Sequence, residues 1–153
     1  MAKYAAETTV TTDSSRAEIE RTLRRYGADA FVFAQDGPKV IVMFRLAGRM
    51  VRYTLSLPDR NDPQFATHTR GARAPNVAAE LWEKACRQKW RALALVIKAK
   101  LEAVDAGIVS IEDEFLANTL TASGETVGEA IRADVAQHLL TGGALQLTWK
   151  GGE

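Results

Sequence analysis

Apolar residues first fall into register at Ile19, Leu23 and Tyr26, separated by four and then three residues, which predicts a helix from about Ser15 to Tyr26 with one buried stripe. Ser15 is placed to cap this helix, Glu18 can reach back three residues later as in a capping box, and Gly27 supplies the left-handed residue that ends it. Arg21, Arg24 and Arg25 then face outward. The Thr- and Val-rich segment 5–12 upstream reads equally as an edge strand or as an unstructured terminus.

Beyond Gly27 the period changes to two. Three β-rich runs, at about 30–35, 39–46 and 49–57, are separated by the turn signals Asp36-Gly37-Pro38 and Ala47-Gly48, which predicts an antiparallel meander. With Ala47-Gly48 as a two-residue hairpin loop, Leu46 opposes Arg49, Phe44 opposes Val51 and Val42 opposes Tyr53, giving an apolar ladder on the core face. The opposite face then carries Ile41, Met43 and Arg45 on one strand and Met50, Arg52 and Thr54 on the next. Residues 58–75 have no periodicity and hold three prolines and a glycine, so they read as a long loop, of a length that tends to be functional or disordered.

The longest predicted element starts after Pro75, with Asn76 as its cap, and runs to about Ala106, where Gly107 stops it. Trp82, Cys86, Trp90, Leu93, Ile97, Leu101 and Val104 define its apolar stripe, and Lys84, Arg87, Arg91 and Lys98 share a second, cationic one. Further on, Ser110 with Asp113 and Thr126 with Glu129 can each cap a short helix, the first through about Asn118 and the second to about Leu140. Ser123-Gly124 marks a turn between them, and residues 144–149 alternate like a strand. The order predicts an α+β fold: an N-terminal helix, a three-stranded antiparallel meander, a long amphipathic helix and a small α/β C-terminal extension.

Length and charge divide this picture. At 153 residues the chain suits one domain, and its apolar (46%) and charged (25%) fractions are those of a globular protein. The net charge of +1 hides an asymmetry: residues 1–100 hold 18 Lys/Arg against 10 Asp/Glu, whereas residues 101–153 hold 2 against 9. A basic α-β-β-β-α core, residues 1–107, is thus followed by an acidic extension, residues 108–153.

Most catalytic chemistry finds no footing. The longest apolar run, Ala92 to Ile97, is far short of the roughly 20 residues that span a bilayer, so no membrane partner is expected. The N-terminus shows no export signal, and the single cysteine, Cys86, fits a reducing compartment, so an intracellular protein is expected. Cys86 lies on the apolar stripe between two tryptophans and reads as a structural thiol. No glycine-rich phosphate loop occurs, and Pro58-Asp59 lacks the acid two positions before a lysine that a metal-dependent nuclease site needs. His68 and His138, the two histidines, have no zinc-ligand spacing, and Glu112-Asp113-Glu114 is accounted for by the favourable placement of acids in a first helical turn. A non-enzymatic protein without metal or cofactor is expected.

Cations remain. Arg45 and Arg52 on the non-core sheet face, Arg60, Arg70 and Arg73 in the long loop, and Lys84, Arg87, Arg91 and Lys98 on the long helix would, if they converge, form a groove that tracks a phosphate backbone, with Ile41, Met43 and Met50 beside it for unstacked bases. The acidic extension can pack on that body or on a neighbouring subunit, so a homo-oligomer is also expected.

Ser14-Ser15-Arg16-Ala17-Glu18-Ile19-Glu20, Arg25-Tyr26-Gly27-Ala28, Arg49–Tyr53 before Leu57-Pro58-Asp59-Arg60, and above all Arg87–Val104 resemble a family of small uncharacterised proteins of bacteriophage and prophage genomes, over roughly residues 14–118. This resemblance implies a phage setting, hence a bacterial cytoplasm, and a role in replication, recombination or host takeover. The element order is also similar to the core of ring-forming single-strand annealing proteins, in which sheet and long helix line a cationic groove for single-stranded DNA. The expectation is a phage protein that binds single-stranded nucleic acid. The alternative is an interaction protein that inhibits or redirects a host protein through the Met/Arg sheet face.

Overall fold

The computed structural model describes the backbone of residues 9–140 and the side chains of residues 9–137. The first helix, α1 (Thr12–Arg25), begins three residues before the expected start. Its cap is Thr11, whose hydroxyl oxygen accepts from the Ser14 N–H at 3.1 Å. Ser15 sits a turn further in, fully buried, with no hydrogen-bond partner for its hydroxyl. In the run Thr11-Thr12-Asp13-Ser14-Ser15 several residues can cap, and the position that buries Ser15 inside the fold is the one adopted. Residues 9–11 are not strand, and residues 5–8 of that expectation lie outside the described residues. Gly27, at φ +90°, ends α1 as expected.

Three strands follow: β1 (Ala30–Asp36), β2 (Lys39–Leu46) and β3 (Arg49–Ser56), in sheet order β1-β2-β3. The predicted register holds throughout, with Leu46 opposite Arg49, Phe44 opposite Val51 and Val42 opposite Tyr53. Both loop residues of the second hairpin have positive φ, 49° at Ala47 and 75° at Gly48. Alternation sends Val40, Val42, Phe44, Leu46 and Val51 inward, all nearly inaccessible. The outer edge of β3 is extended by a bridge from Val51 to Thr119, and the Leu120 N–H donates to the Met50 carbonyl at 2.8 Å. The outer edge of β1 has no strand partner among the described residues.

Residues 58–75 are not an open loop. Asp62 caps the short helix α2 (Pro63–Ala66), Phe65 is buried, and β4 (Thr67–His68) pairs with β5 (Gly71–Ala72) in a small hairpin. The Arg73 guanidinium fastens the unit by donating to the carbonyls of Gln64 (2.6 Å) and Phe65 (3.2 Å). Elements of two to four residues are too short to leave a period in the sequence.

The long helix α3 (Pro75–Asp105) starts at Pro75 with Ala74 as its cap, so Asn76 lies in the first turn and does not cap it. Proline suits that position because its missing N–H has no acceptor there. Trp90, Leu93, Ala94, Ile97 and Leu101 join Ile19 and Leu23 of α1 and the inner sheet face in one core. The result is two layers, with α1 and α3 packed together on one side of the sheet. The chain then forms α4 (Ile111–Phe115), a 3₁₀ turn (Leu116–Asn118) and α5 (Val127–Leu140). Both expected caps form: the Asp113 N–H donates to the Ser110 hydroxyl, and Thr126 and Glu129 bond reciprocally. Phe115 enters the core edge-on to Phe44, their rings 6.0 Å apart. The expected strand at 144–149 lies outside the described residues. No helix among them is long and apolar enough to cross a membrane.

Candidate functional site

The two-layer arrangement separates the cations expected to form a groove. Arg45 and Arg52 alternate with Phe44 and Val51, so they stand on the sheet face opposite the helices, whereas Lys84, Arg87, Arg91 and Lys98 belong to the helical layer. Arg45 bonds Asp29 at 2.7 Å, and this contact holds the Asp29 carboxyl below the usual carboxylate range. Arg52 donates to the Gly124 carbonyl at 3.0 Å and pairs with Glu129 of α5. Arg91 pairs with Glu18 of α1, and Arg87 lies 4.0 Å from Glu83. Lys84 is half-buried in a shallow hollow shared with Glu80, Glu83 and Arg87. Lys98, two turns beyond Arg91 on α3, is exposed. Arg73 is committed to carbonyls, and Arg70 stands exposed at the tip of the β4–β5 hairpin. These eight residues share no single surface.

Acids of the C-terminal extension account for part of the pairing. Arg49 bonds Glu112 at 2.9 Å, Arg52 pairs with Glu129 and Lys100 with Glu114. Three cations of the body are therefore paired with acids of the extension within one chain.

A different constellation does converge. At the end of the layer formed by the tip of the first hairpin, Leu57 and the amino-terminal half of α3, a hollow of about 390 Å³ is walled by Gln35, Leu57, Trp82, Cys86, Arg87 and Trp90. A second, of about 240 Å³, shares Gln35, Leu57 and Trp82 with it and adds Pro58, Asp59 and Arg60. Trp82 is the common wall. Its indole N–H donates to the Pro58 carbonyl at 2.8 Å, which fixes the ring, and the Arg60 guanidinium lies over that ring at 5.5 Å. Beside the cleft, Arg16 lies 5.1 Å from the Phe33 ring centroid and 5.7 Å from that of Trp90. Trp90 itself is buried, so Trp82 and Phe33 are the rings with exposed surface. Burial pushes the Cys86 thiol up, which makes it a wall and not a nucleophile. Asp13 and Glu83 stand on the same rim, so the local charge is close to balanced.

Sequence reasoning placed Trp82 among core positions and left Arg16 unused. The apolar stripe of α3 gives no sign that its amino-terminal end overhangs the sheet, because that depends on where the β3–α2 connection runs. Among the described residues no group of three or more His, Cys, Asp or Glu side chains is placed to hold a metal ion. Comparison with protein-family models, curated proteins and solved structures finds no match to the chain.

Proposed function

We propose that the protein is a non-enzymatic binder of single-stranded nucleic acid, and that the strand is held at the Trp82 cleft. One observation carries this reading: a part-exposed indole, fixed by its own hydrogen bond and covered by Arg60, lies in an open cleft flanked by Arg16 and Arg87. An unstacked base gains about 1–3 kcal/mol on such a plate whatever its identity, and the guanidinium groups meet the flanking phosphates. In the phage setting that the resemblance implies, this is the chemistry of a replication or recombination accessory. The sheet-face cations Arg45 and Arg52 take no part.

With three cations at the cleft, the logarithm of affinity should fall with the logarithm of salt at a slope of about −2 for a single strand. Titration of a labelled single-stranded oligonucleotide at several salt concentrations measures that slope. Arg60→Glu and Arg87→Glu should each abolish binding, Trp82→Ala should weaken it at all salts, and Arg45→Glu should leave it unchanged. No binding at low salt, or binding insensitive to Arg60→Glu and Arg87→Glu, rejects the proposal.

A further inference from the structure

One flank of α1 overhangs the rings of β1. Ser15, Ile19 and Leu23 are buried beneath the helix, Glu18 pairs with Arg91 of α3 on one side, and Arg16, Glu20 and Arg24 follow one another at four-residue intervals on the other. On β1, Phe31 and Phe33 stand across from the buried Phe44 and Val42, so both rings lie on the helical side of the sheet at its β1 margin. Both are half-buried. The Arg24 guanidinium lies 4.9 Å from the Phe31 centroid, and that of Arg16 lies 5.1 Å from the Phe33 centroid. Two residues of a strand are about 6.6 Å apart, roughly twice the 3.4 Å that separates stacked nucleotides along one strand of a duplex. That is the stride of a strand whose bases are pulled apart, one to each plate.

The row continues into the Trp82 cleft. Gln35, the next residue of β1 on the same face, lines a small hollow of about 40 Å³ with Arg16 and Phe33, and it also lines both hollows that Trp82 walls. Arg24 on Phe31, Arg16 on Phe33 and Arg60 on Trp82 are thus three guanidinium-covered rings in succession. Their charges are not equally available. Arg16 and Arg60 make no ion pair among the described residues, whereas Arg24 donates from Nε (3.0 Å) and from Nη2 (2.7 Å) to one carboxylate oxygen of Glu20.

We infer that the Trp82 cleft is one end of a track along the α1–β1 margin, on which a single strand lies with unstacked bases at Phe31, Phe33 and Trp82, and that Glu20 restrains its affinity by neutralising Arg24. This rests on the cleft holding a single strand, as proposed above. Three rings and the span over Gln35 make a site of about four nucleotides. Bases stack on guanidinium planes as well as on rings, so the track accepts any sequence.

Strand length separates the track from the cleft alone. A thymidylate dinucleotide and octanucleotide are titrated against the full chain by quenching of its tryptophan fluorescence. On the cleft alone the octanucleotide gains only its choice of registers, less than about tenfold, whereas the whole track should give roughly a hundredfold. Phe31→Leu keeps an apolar side chain against the core and should weaken the octanucleotide roughly tenfold, while the dinucleotide, held at the Trp82 end, is unchanged. Glu20→Gln frees Arg24, so octanucleotide affinity should rise and its salt slope steepen by about 0.7. Should circular dichroism show Phe31→Leu unfolded, Glu20→Gln on the surface of α1 and the length comparison decide. An octanucleotide advantage no greater than its number of registers, or an octanucleotide affinity unmoved by both substitutions, overturns the track and leaves the Trp82 cleft standing. Absence of binding by either oligonucleotide at low salt overturns the track together with the cleft.

Discussion

Arg91 of α3 and Glu18 of α1 form an ion pair with both side chains about three-quarters buried, joining the two helices that cover the sheet. A residue that by spacing belongs to a row of exposed cations is thus a structural tie. Arg91→Ala should lower stability by about 1 kcal/mol, and Glu18→Gln by a similar amount, with the double variant less than additive. Denaturant titration of the four proteins checks this. Any loss of oligonucleotide binding in Arg91→Glu should follow the loss of fold.

The hairpin joining β2 and β3 places Ala47, a residue with a Cβ, in the left-handed region at φ 49°. Ala47→Gly or Ala47→Asn should relieve roughly 1 kcal/mol of strain. The expected result is a melting temperature raised by a few degrees, with no change in oligonucleotide affinity.

At the start of α1 the two hydroxyls have opposite roles. Thr11→Ala removes the cap and should cost about 1 kcal/mol. Ser15→Ala removes a fully buried hydroxyl without a partner and should be neutral or stabilising. Were Ser15 the cap, the two outcomes would be exchanged in thermal melts.

A Cβ on Gly128 would lie 2.9 Å from the Ala117 carbonyl oxygen. Alanine elsewhere in a helix gains up to about 1 kcal/mol over glycine, yet Gly128→Ala should push α5 off the 3₁₀ turn and lower helicity. Circular dichroism of this protein gives the reading.

The Glu129 carboxylate is held below the ordinary glutamate range, first by the Thr126 N–H it accepts from and then by Arg52. A lowered folded value means that its contribution is complete above the ordinary range and is lost as the pH falls through the folded value. The hold of the first turn of α5 on Arg52 should therefore loosen on acidification. Glu129→Gln should show a smaller dependence of stability on pH across that acidic interval, measured as the difference between melting curves.

Where local chemistry decides, the chain is legible. The register of β2 and β3 follows from a two-residue turn and a period of two, and both C-terminal caps follow from residues three apart. Residues 58–75 defeat that reading because α2 and the β4–β5 hairpin are held by Arg73 to carbonyls eight and nine residues away, which leaves no period. The cations were misread in grouping, though not in number. Arg91 finds Glu18 at a separation of 73 residues and Arg52 finds Glu129 at 77, so neither partner is visible from spacing. The cleft was hidden for the same reason, since Trp82 and Pro58 meet only after the chain has turned back through α2.

The sheet's two margins are unlike: Thr119 and Leu120 cover the Met50–Val51 stretch of the β3 side, and the β1 side has no strand partner among the described residues. A strand arriving from outside therefore finds its longest open berth along β1. Two molecules meeting at their β1 margins would each cover the other's open edge and remove it as a place for a further chain to add.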